Sequence, residues 1–439
     1  MATFLGSSDA FVWSIGADPR FRSTIVTLIL LGSTPDLDSV VDRFAQISRV
    51  APMFRQRVVP SPWPVPPRWE PDPEFDLTFH LRRVGAPSPG DLDGVLELAR
   101  LAVMADFDSA HPLWEATLIE GMTGGQAALL CRMNHALTDG VGAVEIGRIL
   151  FDDMTDGPQR PTRRESGLPR AVQLAGHALS TSLRMGRSLV LDAVSRPVAT
   201  VSMAGSLTAS MWRITRPRRR RSPMMQKRGS LREVFMHEVS KQALHSAAAG
   251  AGGTLNDGFL AAVSAGLRRY HAVHGVSVDD LAVMMPMNLR TAGDQVGGNR
   301  TTLMRFDLPT GPADSAAHVQ KIHELTSAQR TEKAVPVSPL IAGALNVAPD
   351  WYVRSLLQNV DFLASDVPGF PRAVTLAGAA VYRQYAFAPT LGTAVNVTLL
   401  SYGDVCTFGI NVDTAAIPDV EVFRDCLIEG FDEVLALGA

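Results

Sequence analysis

Cysteine is scarce in this chain: Cys131, Cys406 and Cys426 are the three present among 439 residues. They are widely spaced and odd in number, which argues against a disulfide framework and against a zinc knuckle and fits a reducing compartment. An excess of one charge is lacking too. Lys and Arg total 41 against 44 Asp and Glu, a net charge of -3, so nothing in the overall charge demands a nucleic acid as partner. No stretch reaches the roughly 18 uncharged apolar residues of a membrane-spanning helix. The best run, Ile25 to Leu31, is strand-sized. Met1 to Gly16 has no basic start followed by an apolar core, so no secretory signal is expected. No repeat occurs at solenoid or propeller periods. A cytoplasmic protein, free or peripheral to a membrane, is the expectation.

What is present is enough apolar sequence, 46% of residues, to fill two interiors. Thr24 to Leu31 reads as a buried strand. Leu37 to Val50 reads as a helix, with Leu37, Val40, Val41, Phe44 and Ile47 on one face. Proline dominates Pro52 to Pro73, which predicts extended loop with Trp63 and Trp69 as packing anchors. Helix returns over Leu92 to Ala105, and strands are expected at Trp114 to Glu120 and Ala127 to Met133. Asp156 to Arg170 has linker composition, Val172 to Val194 has amphipathic helical spacing, and Arg213 to Arg228 is strongly basic. Strands are then expected over Gly229 to Val239, Leu281 to Met287, Ala394 to Leu400 and Val405 to Val412. Helices are expected over Leu255 to His271 and Val420 to Leu437. The division is an N-terminal domain (1–158), a linker with an amphipathic helix and a basic run (159–228), and a C-terminal domain (229–439).

The chemistry concentrates in Asn134-His135-Ala136-Leu137-Thr138-Asp139-Gly140, where a buried strand ends and a helix begins. Imidazole titrates at about 6.5, so His135 can take and return a proton near neutrality. A base placed at a strand end in a cleft contributes about 10²–10⁴-fold in rate. On the residues alone, the pattern is more often a turn with a structural histidine. Asn256 and Asp257, after Gly252-Gly253-Thr254, have the spacing of a helix cap. Trp114 reads as core and Pro368-Gly369 as a turn. His271 and His274 read as surface histidines, with no clustered ligand to suggest a metal. Arg216 to Arg221 is either a solvated linker or a patch for anionic headgroups, beside an amphipathic segment suited to an interface.

The chain resembles the bacterial wax ester synthase/diacylglycerol acyltransferase family, whose hallmark is His-His-x-x-x-Asp-Gly. Further blocks follow in the family's order: Phe54-Arg55-Gln56-Arg57, Phe75-Asp76-Leu77 with His80 and Arg82, and His111-Pro112-Leu113-Trp114-Glu115. Asn256-Asp257, Pro286-Met287-Asn288-Leu289-Arg290 with Gly298-Asn299-Arg300, and Ser365-Asp366-Val367-Pro368-Gly369 come next. Leu400-Ser401-Tyr402, Phe408-Gly409 and Asp413 complete the set.

The resemblance implies a mixed α/β class and a two-domain, chloramphenicol-acetyltransferase-like CoA-dependent acyltransferase fold, with the active-site channel between the halves. It implies His135 as general base, acyl-CoA as donor substrate, and a diacylglycerol or fatty alcohol as acceptor. No cofactor or metal is implied, since CoA enters with the substrate. In related plant acyltransferases the motif aspartate pairs with an arginine before a Gly-Asn turn, which implies an Asp139–Arg290 ion pair beside Gly140. Asn134, Asn256 and Asp257 would stand around the base. Two positions depart from the pattern: Asn134 replaces the first histidine, and Asp366 replaces the asparagine of Asn-Val-Pro-Gly. The alternatives are a non-catalytic acyl- or lipid-binding protein, or transfer to a different hydroxyl or amine. A membrane or lipid-droplet surface is the expected platform.

Overall fold

The computed structural model describes residues 3–62, 65–138, 140–152, 222–288, 301–311, 314–330 and 350–438. Asp139, Arg290, Trp63 and most of the 159–228 linker lie outside them. Three sheets carry the fold. The smallest has β1 (Thr3–Phe4), β3 (Gln56–Val59) and β4 (Arg68–Pro71) in the order β1-β4-β3. So the proline-rich stretch is not loop throughout. Its short strands leave the prolines at their ends, where no ladder donor is needed, and Trp69 is buried as expected.

The first large sheet contains β2 (Thr24–Leu31), β5 (Leu81–Gly85), β6 (Trp114–Glu120), β7 (Ala127–Asn134), β12 (Thr375–Leu376) and β13 (Ala379–Phe387). Their order is β12-β13-β2-β7-β6-β5. The alternation of β2 sorts its side chains onto two cores. Ile29 and Leu31 pack with Val40, Phe44 and Ile47 of α2 (Leu37–Val50), whereas Val26, Leu28 and Leu30 pack with Val95, Ala99 and Val103 of α4 (Leu92–Met104). A strand buried on both faces reads as a continuous apolar run, which is how Thr24 to Leu31 reads. Both helices start at an aspartate cap: Asp36 accepts from the Ser39 N–H at 2.9 Å and Asp91 from the Gly94 N–H at 3.0 Å. Two other short helices, α1 (Ser7–Ile15) and α3 (Leu77–His80), complete this half up to β7.

The second large sheet runs β10-β9-β11-β14-β15-β8. Its strands are β8 (Arg232–Ser240), β9 (Asp280–Asn288), β10 (Thr301–Pro309), β11 (Phe362–Val367), β14 (Val395–Tyr402) and β15 (Val405–Asp413). After α5 (Gly140–Leu150), the helices of this half are α6 (Lys241–Gly250), α7 (Leu255–Val273), α8 (Ser315–Arg330), α9 (Asp350–Gln358) and α10 (Val420–Leu435). α7 and α10 meet closely through Gly266 and Gly430: a Cβ on Gly430 would overlap the backbone of Ala262 and Gly266.

Strand β13 belongs to the first sheet, yet its chain continues directly into β14 of the second. Residues 379–387 thus complete the N-terminal half although they lie far inside 229–439. The crossing is bonded on both sides. Thr407 Oγ1 donates to the Gln384 carbonyl at 2.6 Å, Asn396 Nδ2 to the Pro389 carbonyl at 2.8 Å and Asn411 Nδ2 to the Ala388 carbonyl at 3.1 Å. The end of the 159–228 segment is equally committed to the C-terminal half. Ser222 and Met225 are fully buried, and the Arg228 guanidinium donates to the carbonyls of Gly392 at 2.6 Å and Val360 at 3.0 Å.

Candidate active site

His135 stands on a turn at the end of β7. Register pairs Asn134 with Thr24 of β2, and the turn leaves the sheet immediately after. Four backbone hydrogen bonds place it. The Asn134 N–H donates to the Leu113 carbonyl at 2.9 Å, and the His135 N–H to the Ser23 carbonyl at 2.8 Å. The Leu137 N–H donates to the Asn134 carbonyl at 2.9 Å and closes the turn, and the Ala136 N–H donates to Asn134 Oδ1, also at 2.9 Å. Ala136, Leu137 and Thr138 are buried, and Leu137 enters the core under α2. His135 itself is half-buried. The residue is carried on hydrogen-bonded backbone and is neither fully buried nor fully exposed. Gly140 opens α5 directly behind.

Asn134 has a definite task. Its Oδ1 accepts from the Ala136 N–H, an Asx turn, and stands 3.4 Å from the Ser23 hydroxyl, which donates to it. The amide holds the turn without titrating.

The other expected residues are divided. Asp257 is a helix cap. It forms a capping box with Thr254, accepts from Thr326 Oγ1 at 2.7 Å, and lies 2.8 Å from His323 Nδ1. Burial pushes its carboxyl up, but the Thr254, His323 and Thr326 donors outweigh that and leave it below the usual carboxylate range. Asn256 is 6% exposed, and neither polar atom of its amide has a hydrogen-bond partner among the described residues. Asp139 and Arg290, the expected ion pair, lie outside the described residues. Asp366 is exposed, where a carboxylate keeps its hydration, and Trp114 is core, stacked on Phe44 with centroids 5.6 Å apart.

His271 corrects its expectation. It is fully buried rather than a surface group, 2.7 Å from the Ser222 hydroxyl, and burial lowers its pKa. It lies on the inward face of α7. His274, three residues on, pairs with Asp419 at 2.7 Å. Among the described residues no group of three or more His, Cys, Asp or Glu could hold a metal ion, and no helix is long and apolar enough to cross a membrane.

Three contributors escaped the sequence reading. Ser23 supplies a carbonyl and a hydroxyl to the turn; as a small polar residue ahead of a strand it carried no signal. Glu115, 8% exposed, takes Arg132 at 2.6 Å from the facing position on β7 and Arg82 at 3.2 Å. His80 donates from Nδ1 to the Trp114 carbonyl at 2.7 Å. The last two lie in motif blocks, so their presence was visible but their tasks were not.

Two mixed sheets joined by a crossing strand define the class of protein, a two-domain α/β fold. The wax ester synthase/diacylglycerol acyltransferase from Marinobacter aquaeolei VT8 shares it over 100% of both chains, with a TM-score of 0.66 at 21% identity. The first condensation domain of the calcium-dependent antibiotic synthetase matches with a TM-score of 0.66 at 15% identity, over 99% of this chain and 96% of that one. The expected two-domain mixed α/β fold is therefore the one present.

Residues 5–259 match the wax ester synthase/diacylglycerol acyltransferase catalytic domain, and residues 297–434 match the WS/DGAT C-terminal domain. A Mycobacterium tuberculosis protein described as a diacylglycerol O-acyltransferase is 38% identical over 455 aligned positions, covering 99% of this chain and 92% of the relative. The chain belongs to the wax ester synthase/diacylglycerol acyltransferase family, and its enzyme class is O-acyltransferase.

Proposed function

We propose that this protein moves a long-chain acyl group from acyl-CoA to the hydroxyl of a diacylglycerol or fatty alcohol, with His135 as general base. The observation that carries the reading is the half-buried His135, fixed at the end of β7 by hydrogen bonds from both sides of the turn. Family membership supports the donor and acceptor classes, and a starter condensation domain of rhizomide synthetase described in complex with C8-CoA supports the donor. That domain shares the fold with a TM-score of 0.63 at 12% identity, over 98% of this chain and 94% of that one.

In the proposed reaction neutral His135 takes the proton of the acceptor hydroxyl as the oxygen attacks the thioester carbonyl. The tetrahedral oxyanion collapses, the C–S bond breaks, and CoA leaves as thiolate. The imidazolium returns the proton to the sulfur, so atoms and charge balance in one turnover. No covalent enzyme intermediate is needed, because both substrates gain from being held together. Asp139 and Arg290 would pair near Gly140 and keep the turn's shape.

Thiol release from acyl-CoA tests the proposal. His135→Ala is expected to lower the rate by about 10²–10⁴-fold with an unchanged far-UV spectrum. Turnover at the parental rate would sink the reading. Absence of thiol release by the parent with every alcohol, diacylglycerol and amine offered would favour a binding protein, and product extraction decides between the acceptors.

The working surface in this proposal is a membrane or lipid droplet, reached through the basic run. Each basic residue near an anionic surface adds about 1 kcal/mol. Substituting Arg218 to Arg221 by Gln should release the protein from anionic vesicles in a flotation assay. The next residue, Ser222, is buried, so a far-UV spectrum and melting curve of the variant accompany the flotation assay. Unchanged flotation would leave the run a plain linker.

A further inference from the structure

Strand β5 is an edge strand and runs parallel to β6, but it begins opposite Ala116. The Trp114 carbonyl lies before that point, on a stretch of β6 that β5 does not cover. A buried carbonyl with no donor keeps the full desolvation penalty. Here a side chain takes the missing strand's place. His80, the last residue of α3 and the one before β5, lies 2.7 Å from that oxygen through Nδ1 and is fully buried. A carbonyl only accepts, so Nδ1 carries a proton, and burial keeps the ring neutral by lowering its pKa. The ring cannot swing away. It stacks on Trp114 with centroids 4.6 Å apart and planes 14° apart, and on Phe75 at 5.4 Å, with Phe79 edge-on at 5.2 Å. Its Nε2 is buried with no hydrogen-bond partner among the described residues, so the ring is held by one directional bond and by packing.

The residue before Trp114 is Leu113, whose carbonyl accepts from the Asn134 N–H at 2.9 Å. Successive carbonyls of an extended chain point to opposite sides. The start of β6 is therefore gripped by His80 on one side and holds the His135 turn on the other. We propose that His80 is a positioning residue for the reaction: by holding the Trp114 carbonyl beyond the end of β5, it fixes the Leu113–Trp114 peptide against which the His135 turn is set. This rests on the reading of His135 as the base. His80 touches no reacting atom in this arrangement and acts through the backbone of β6.

The test uses the full chain with His80→Leu, His80→Asn and His80→Gln, assayed for kcat and KM for acyl-CoA beside His135→Ala. Asn places an amide N–H where Nδ1 stands, whereas Gln places one nearer Nε2. Misplacement of a reacting group by about 1 Å can cost roughly 10²-fold in rate. The expected result is a kcat lowered roughly 10- to 100-fold in His80→Leu with KM for acyl-CoA changed less than about twofold. His80→Asn should recover most of that loss and His80→Gln little of it. Equal rates for Asn and Gln overturn the proposal, and so does a parental kcat in His80→Leu. If the leucine variant does not fold, the Asn and Gln comparison decides alone. An active His135→Ala would instead defeat the reading of the base, whereas an inactive one beside an unimpaired His80→Leu would defeat only the positioning role.

Discussion

Asn134 shows how a departure from a motif can be accommodated by geometry. Its side-chain oxygen satisfies the Ala136 N–H at 2.9 Å, in a turn whose other groups are already paired. Asn134→Ala leaves that N–H without its partner and is expected to cost about 1 kcal/mol, seen as a lower urea midpoint, together with a reduced kcat. An unchanged midpoint and kcat would show that the turn is held by its backbone bonds alone. The strand end and the position of His135 were legible in the residues, because an apolar run stops there and polar groups begin. The work of Asn134 was not, since an amide beside a turn can bond in many ways until Ser23 and Ala136 stand next to it.

Among the elements, β13 does most to make the molecule one body. It closes the first sheet against β2 and lies across β14 and β15 of the second. Gly409 on β15 sits where that crossing is tightest, and a Cβ there would overlap the Ala386 carbonyl. Gly409→Ala is expected to destabilise by about 3 kcal/mol, the upper end of the usual overpacking penalty, measured by chemical denaturation. A loss below about 0.5 kcal/mol would mean that the crossing can give way. The uniformly buried β2, and helices such as α2 with a clean apolar face, were readable to the residue. By contrast β1, β3, β4, β5, β10, β11, β12 and β13 were not foreseen. Short edge strands such as Leu-Arg-Arg-Val-Gly carry little apolar pattern, and which sheet a strand joins is a matter of long-range pairing.

At the scale of the whole molecule, histidines couple stability to pH. His80, His237, His271 and His318 are each held neutral chiefly by burial, which lowers their pKa below the ordinary 6.5. In the unfolded chain they take up protons at about 6.5. Their contribution is therefore present above that pH and is lost as pH falls through the depressed folded values. His274 has the opposite sign. Its bond to the Tyr270 carbonyl and the neighbouring Asp419 raise its pKa, so it stabilises at low pH and stops doing so as pH rises. Among the described residues, four such histidines against one set the direction. The melting temperature should fall between pH 7.5 and pH 5.5 in calorimetry, and a flat or rising profile would refute this balance. The halves share this stability through the cluster that joins Phe11 and Phe21 to Met284, Leu357 and Leu363, and through the Asp18–Arg354 ion pair.

Local pattern and motif order determined the class of fold, the main strands and helices, and the place of the one histidine at a strand-to-helix turn. Those properties depend on neighbours in sequence and on which faces are apolar. Tertiary structure alone decided that residues 379–387 complete the first sheet, that Ser222 to Arg228 belong to the C-terminal core, that His271 is interior, and that His80 stands in for a missing strand. Each of these depends on groups far apart in the chain meeting at hydrogen-bonding distance, and no spacing along the sequence encodes such a meeting.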